Sequence, residues 1–189
     1  VLAACAVSYA LLKMQQRGFL GQCVKVSERQ FAEIHEMARQ AANRLGMENI
    51  PSVYIMQSPV LNAGAVGLTK SGTVVLHSAL VESFDKDELQ AVIGHEFSHI
   101  KCGHTFWLLL TGNAGARIPV ISPIVNFVYK WWGRLCEYTC DRGGLVACRD
   151  LHASIRAQAK LAVGKELFDQ LDIAPFLEQK SDFDKGLMG

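Results

Sequence analysis

The sequence predicts a single mainly helical α+β domain with a small sheet. Three observations carry that prediction. Apolar residues recur at helical spacing along 31–45, 85–101 and 151–163. Short runs rich in Val and Ile, bounded by Pro or Gly, occupy 52–56 and 73–77. The 189 residues are 50% apolar, which suits one core rather than several. A formal net charge of +1 with no basic run gives no electrostatic reason for a nucleic-acid partner. Six cysteines (5, 23, 102, 136, 140 and 148) show no framework spacing, and no Asn-x-Ser/Thr acceptor occurs. Both point to a reducing, intracellular setting.

The elements follow in order. Residues 1–12 are uncharged but too few to span a bilayer, which needs about 20, and they lack the flanks of a signal peptide. They read as a helix docked on the core, with a truncated membrane anchor as the alternative. Residues 19–26 read as a short strand, closing an N-terminal piece over 1–26. Ser27 with Gln30 has the spacing of a capping box. It opens a helix along Phe31, Ile34, Met37, Ala38, Ala41 and Leu45, which Gly46 stops. His35 on that helix reads as packed or surface-lying. Pro51 breaks the pattern before the strand 52–56.

Runs 63–68 and 73–77 suggest a hairpin around Lys70-Ser71-Gly72, with His77 as a structural residue at its end. Asn62-Ala63-Gly64-Ala65 has almost no side-chain bulk. Such a strand admits another backbone closely, as a peptide-binding edge does, and a loop or tight internal packing is the equal alternative. Asp85 with Glu88 reads as N-cap and capping-box partner of the helix 85–101, and Asp87 adds negative charge to its first turn. Its stripe is Leu89, Val92, Ile93, Phe97 and Ile100, and Gly103 ends it.

Residues 105–132 are strongly apolar but interrupted by Arg117, Pro119 and Pro123. A buried or interfacial helical hairpin is the expectation, with Trp107, Trp131 and Trp132 available for a substrate groove or peripheral membrane contact. Asp150 caps a helix over 151–163 that Gly164 ends. Short helices over 165–171 and 173–179 follow, the last with Pro175 in its first turn, and 181–189 reads as frayed. The main unit is thus expected over 27–163, with 164–189 packing on it.

The chemistry is concentrated in His95-Glu96-Phe97-Ser98-His99. Residues four apart on a helix share a face, so His95 and His99 can present two imidazole nitrogens to one ion. Glu96, one position round, can act as general base on the water such an ion activates. A catalytic zinc needs a third protein ligand and an open position. Glu137 is the best candidate, and Asp141, four residues on, is placed to hydrogen-bond a ligand imidazole. Four residues are candidates for stabilising oxyanion charge: His104, Arg142, Arg149 and His152. Two alternatives stay open: a structural zinc site made from Cys102, His104, Cys136 and Cys140, and a zinc-stabilised chaperone or adaptor that does not cut.

The order of three blocks is distinctive. Asn62-Ala63 comes first, then Gly94-His95-Glu96-Phe97-Ser98-His99-Ile100-Lys101-Cys102-Gly103-His104, then Glu137-Tyr138-Thr139-Cys140-Asp141-Arg142-Gly143-Gly144-Leu145. Together they resemble metallopeptidase family 48, the gluzincin group that includes HtpX-like proteases and the CAAX prenyl protease. The resemblance implies a zincin-like, minigluzincin-type domain with a small sheet packed beside the HExxH helix. It implies an ATP-independent endopeptidase with one Zn2+, acting on unfolded or extended polypeptide, with a place in protein quality control. Carried over residue by residue, it makes His95, His99 and Glu137 ligands, Glu96 the base and acid, and Asp141 their support. Asn62, Ala63 and Gly64 would form the substrate edge, and Arg142 is carried forward as a transition-state donor. Two departures stand out. Gly64 falls where family members often carry a bulky residue. The full membrane spans of HtpX-like proteins have no counterpart, which favours a soluble or peripherally membrane-associated branch.

Overall fold

In the computed structural model, residues 18–66, 72–104, 122–176 and 178 are described. Four strands form one sheet: β1 Val24–Lys25, β2 Ser52–Met56, β3 Ala63–Val66 and β4 Thr73–His77. Their spatial order is β1-β2-β4-β3, with β2 and β4 parallel and both outer pairs antiparallel. β4 lies inside the sheet, so its first four residues are all buried and its apolar run is continuous rather than alternating. β3 lies at the edge.

Helices cover the sheet and build most of the core. They are α1 Ala32–Arg44, α2 Ser78–Ser83, α3 Lys86–Lys101, α4 Ser122–Cys148, α5 Leu151–Val163 and α6 Lys165–Phe168. α3 is central and packs against α1, α4, α5 and β3. Its start is fixed by the expected capping box. The Glu88 N–H donates to Asp85 Oδ1 at 2.9 Å, and the Asp85 N–H donates to Glu88 Oε2 at 3.0 Å. Leu89, Val92, Ile93, Phe97 and Ile100 are all buried, as the stripe requires. α1 ends as Gly46 predicts: the Gly46 N–H donates to Asn43 O and the Met47 N–H to Ala42 O, with Gly46 at φ 64°.

α3 and α4 approach more closely than ordinary side chains allow. A Cβ on Gly94 would lie 2.2 Å from Ala147 Cβ, and one on Gly144 would lie 2.7 Å from the Ala91 carbonyl oxygen. Three glycines, Gly94, Gly143 and Gly144, therefore let α4 lie against the HExxH helix.

Four expectations are corrected. Of 19–26 only Val24–Lys25 is strand, and 18–20 form a helical turn. Ser27 and Gln30 do not cap a helix; their backbones bond each other at 2.9 and 3.1 Å in a tight turn. That turn occupies both amides, and α1 starts at Ala32 after Phe31 at φ 59°, with no side-chain cap. The second arm of the apolar segment is the beginning of a 27-residue helix, because Pro123 falls in its first turn, where no N–H is needed. The tail helix 165–171 shortens to Lys165–Phe168, and a helical turn follows at 173–176. The expectations for 1–12, Lys70-Ser71, 105–121 with Trp107, and 181–189 lie outside the described residues. No described helix is long and apolar enough to cross a membrane.

Candidate metal centre

The residues that meet at the centre come from two helices that the glycine contact brings together. On α3, His95 and His99 point their Nε2 atoms toward each other, 3.1 Å apart. From α4, the Glu137 carboxylate stands 3.3 Å from His95 Nε2 and 3.6 Å from His99 Nε2. One turn further along α4, Asp141 Oδ1 accepts from His95 Nδ1 at 3.0 Å. With its proton held at Nδ1, His95 offers a lone pair at Nε2. Asp141 is itself held, since Gln158 Nε2 of α5 donates to the same Oδ1 at 2.8 Å.

The electrostatics favour a cation where these groups converge. Burial opposes a charged His95, but hydrogen bonds to Asp141 and Glu137 and the nearby Glu96 charge outweigh it, lifting its pKa to about 9. The two imidazoles hold the Glu137 carboxyl far below the usual range. Glu96 is pushed the other way by burial, and the Ala65 backbone N–H hydrogen-bonds it. That bond ties the edge strand β3 directly to the HExxH helix.

The β3 edge is ordered as a docking edge would be. The His77 N–H donates to Asn62 O at 3.0 Å, so residues 62, 64 and 66 bond inward to β4. Ala63 and Ala65 therefore turn their peptide groups outward. The Ala63 N–H is met by Asn62 Oδ1 at 2.9 Å.

A cavity of about 420 Å³ opens on the centre, lined by Asn62, Ala63, His95, Glu96, His99 and Glu137, with Asp141 and Gly144 behind them. Of the expected residues, Gly64 faces β4 and does not line the cavity, although a side chain there would meet nothing within 4 Å. Arg142 is exposed and away from the cavity, and none of His104, Arg149 and His152 lines it either. Ser154, Ala157 and Gln158 of α5 do line it, and the sequence carried no motif that marked them. The four-donor structural site is not assembled among the described residues. Cys140 and His104 do meet, but with His99 rather than with Cys102 or Cys136.

The donor set can be tested against the ion it would hold. Ligands 2.0–2.1 Å from a tetrahedral ion lie roughly 3.3 Å apart. The imidazole nitrogens stand 3.1 Å apart, and the two Glu137 oxygens lie 3.3 Å from one and 3.6 Å from the other, so the residues fit a zinc-sized ion.

An HExxH helix under a sheet edge, completed by a carboxylate from a second helix, defines the class of single-metal zincin-like domains. Within that class, the chain belongs to peptidase family M48, whose model matches residues 28–179. It is 35% identical over 175 residues to the plastoglobule-localized metallopeptidase 48, chloroplastic, of Arabidopsis thaliana, covering 88% of this chain and 51% of that protein. It is 27% identical to a protease HtpX homolog of Helicobacter pylori, over 69% of this chain and 52% of that one. A protease HtpX homolog of Pyrococcus furiosus is 34% identical over 125 residues, 65% of this chain and 42% of that protein. The chain thus spans about half the length of the first two relatives.

Proposed function

We propose that this chain carries the catalytic unit of a zinc-dependent endopeptidase, with His95, His99 and Glu137 as ligands. The observation that supports it best is the donor spacing: two imidazole nitrogens and the Glu137 carboxylate, from two helices, already converge to within 3.1–3.6 Å of one another. When bound, zinc supplies a nucleophilic water at neutral pH and polarises the scissile carbonyl.

The protein's own groups do the rest. Glu96 takes the proton of the attacking water and returns it to the departing amine. Its burial raises its proton affinity, which suits it to hold that proton between the two steps. Asp141 keeps His95 in one tautomer and orientation. An extended peptide adds along β3, its N–H groups donating to the outward carbonyls of Ala63 and Ala65. Only an unfolded or extended segment can pair in this way, which supports a substrate class of loosened polypeptide and a place in protein quality control. The exposed stripe Val128, Trp131 and Leu135 on α4, together with a relative named for plastoglobules, supports peripheral contact with lipid.

The test compares the zinc-loaded chain with Glu96→Gln on unfolded casein. Both should bind zinc, and the variant should cut about 10²–10⁴-fold more slowly. Equal cutting by the two forms overturns the role of Glu96. Zinc-loaded protein that binds casein without cutting it favours a chaperone or adaptor instead.

A further inference from the structure

Beside the centre, the turn that follows α3 and the helix α4 bring together two soft donors with no part in the reaction above, His104 and Cys140, next to His99. Cys140 is fully buried and His104 is 8% exposed. Cys140 Sγ and His104 Nδ1 are 3.4 Å apart. The His104 ring meets the His99 ring edge-on, with centroids 5.3 Å apart. One donor atom from each of His99, His104 and Cys140 lies within 4.8 Å of the other two.

We propose that His99, His104 and Cys140 form a second, alternative site for a soft divalent ion such as zinc or cadmium, sharing His99 with the first. The inference rests on the proposed function in one respect, that His99 is a ligand of the catalytic ion.

The donor chemistry selects the ion. Two imidazoles and a thiolate favour zinc or cadmium over magnesium or calcium. A tetrahedral ion with bonds of roughly 2.0–2.3 Å holds its donors about 3.3–3.7 Å apart. The Cys140–His104 pair already has that spacing, and His99 need close by only about 1 Å. As the ion binds, the Cys140 thiol releases its proton to solvent and the sulfur lone pair forms the bond. A neutral imidazole carries its proton on one nitrogen and binds an ion through the other. His99 therefore serves one ion at a time, and filling the second site withdraws it from the first. Neither His104 nor Cys140 lines the cavity, so an ion held there does not meet substrate. The second site is thus inhibitory.

Cobalt(II) titration of the full chain tests this, because cobalt bound to thiolate shows a near-ultraviolet charge-transfer band. At one equivalent the band should be absent. It should appear beyond one equivalent, and at one equivalent in Glu137→Ala, and should vanish in both Cys140→Ala and the near-isosteric Cys140→Ser. In the zinc form, Cys140→Ser should leave casein hydrolysis at one equivalent unchanged and raise the half-inhibiting zinc concentration about tenfold or more. A band that never appears, or that persists in both Cys140 variants, overturns the second site, as does unchanged inhibition by excess zinc. Loss of casein hydrolysis with the cobalt behaviour intact instead overturns the peptidase reading and leaves the second site standing.

Discussion

Asp141 shows how much of the centre depends on a residue that need not touch the ion. Its Oδ1 accepts from both His95 Nδ1 and Gln158 Nε2, so the carboxylate is fixed from α5 while it fixes a ring on α3. Asp141→Ala should leave the fold intact and weaken zinc binding about 10–100-fold, which a competition titration against a chromogenic chelator measures. An affinity equal to wild type would mean that the His95 ring is held by packing alone. At this scale the sequence was legible wherever spacing alone decides geometry. His95 and His99 share a face at four residues, as do Glu137 and Asp141. Gln158 and Ser154 were not legible, because single polar residues on a helix acquire meaning only from how that helix crosses its neighbour. Arg142 stands next to Asp141 in sequence, which turns it about 100° away around the helix, and it is exposed and does not line the cavity.

Between elements, the α3–α4 contact decides whether the carboxylate reaches the imidazoles. Gly94 faces Ala147 with no room for a methyl group, since an added Cβ would lie 2.2 Å from Ala147 Cβ. Gly94→Ala should therefore push the helices apart, destabilise the fold by about 1–3 kcal/mol and weaken zinc binding as Glu137 retreats. Combining it with Ala147→Gly should recover part of both losses in a double-mutant cycle; thermal unfolding and zinc titration read them. Helix ends that use a side chain or a glycine as a stop were readable: Asp85 with Glu88, Gly46, and Asp150, whose Oδ1 accepts from the N–H groups of His152 and Ala153. The Ser27–Gln30 pair has the same spacing as a capping box and is used for a backbone turn instead. Residue type cannot separate the two uses, because the choice depends on where β1 delivers the chain.

Across the whole molecule, the HExxH helix is anchored from its far end. Glu88 is fully buried, and its two oxygens take Arg156 Nε at 3.0 Å and Lys160 Nζ at 2.7 Å, while Arg156 Nη2 also reaches Asp85 at 3.0 Å. This cluster pins α5 to the first turn of α3, and α5 in turn supplies Ser154, Ala157 and Gln158 to the cavity. Glu88→Ala would leave the Lys160 ammonium, 14% exposed, without its carboxylate. The expected cost is about 3–5 kcal/mol, seen as a lower urea midpoint with an unchanged slope. The mainly helical architecture followed from periodicity, but the sheet order β1-β2-β4-β3 did not, because a parallel β2–β4 pair is specified by contacts distant in sequence. The most direct measurement is anomalous diffraction at the zinc edge from zinc-loaded crystals. At one equivalent of zinc, a single strong peak within about 2.2 Å of His95 Nε2, His99 Nε2 and a Glu137 carboxylate oxygen is expected. A peak that Glu137 does not reach would contradict the three-ligand centre on which the peptidase reading stands.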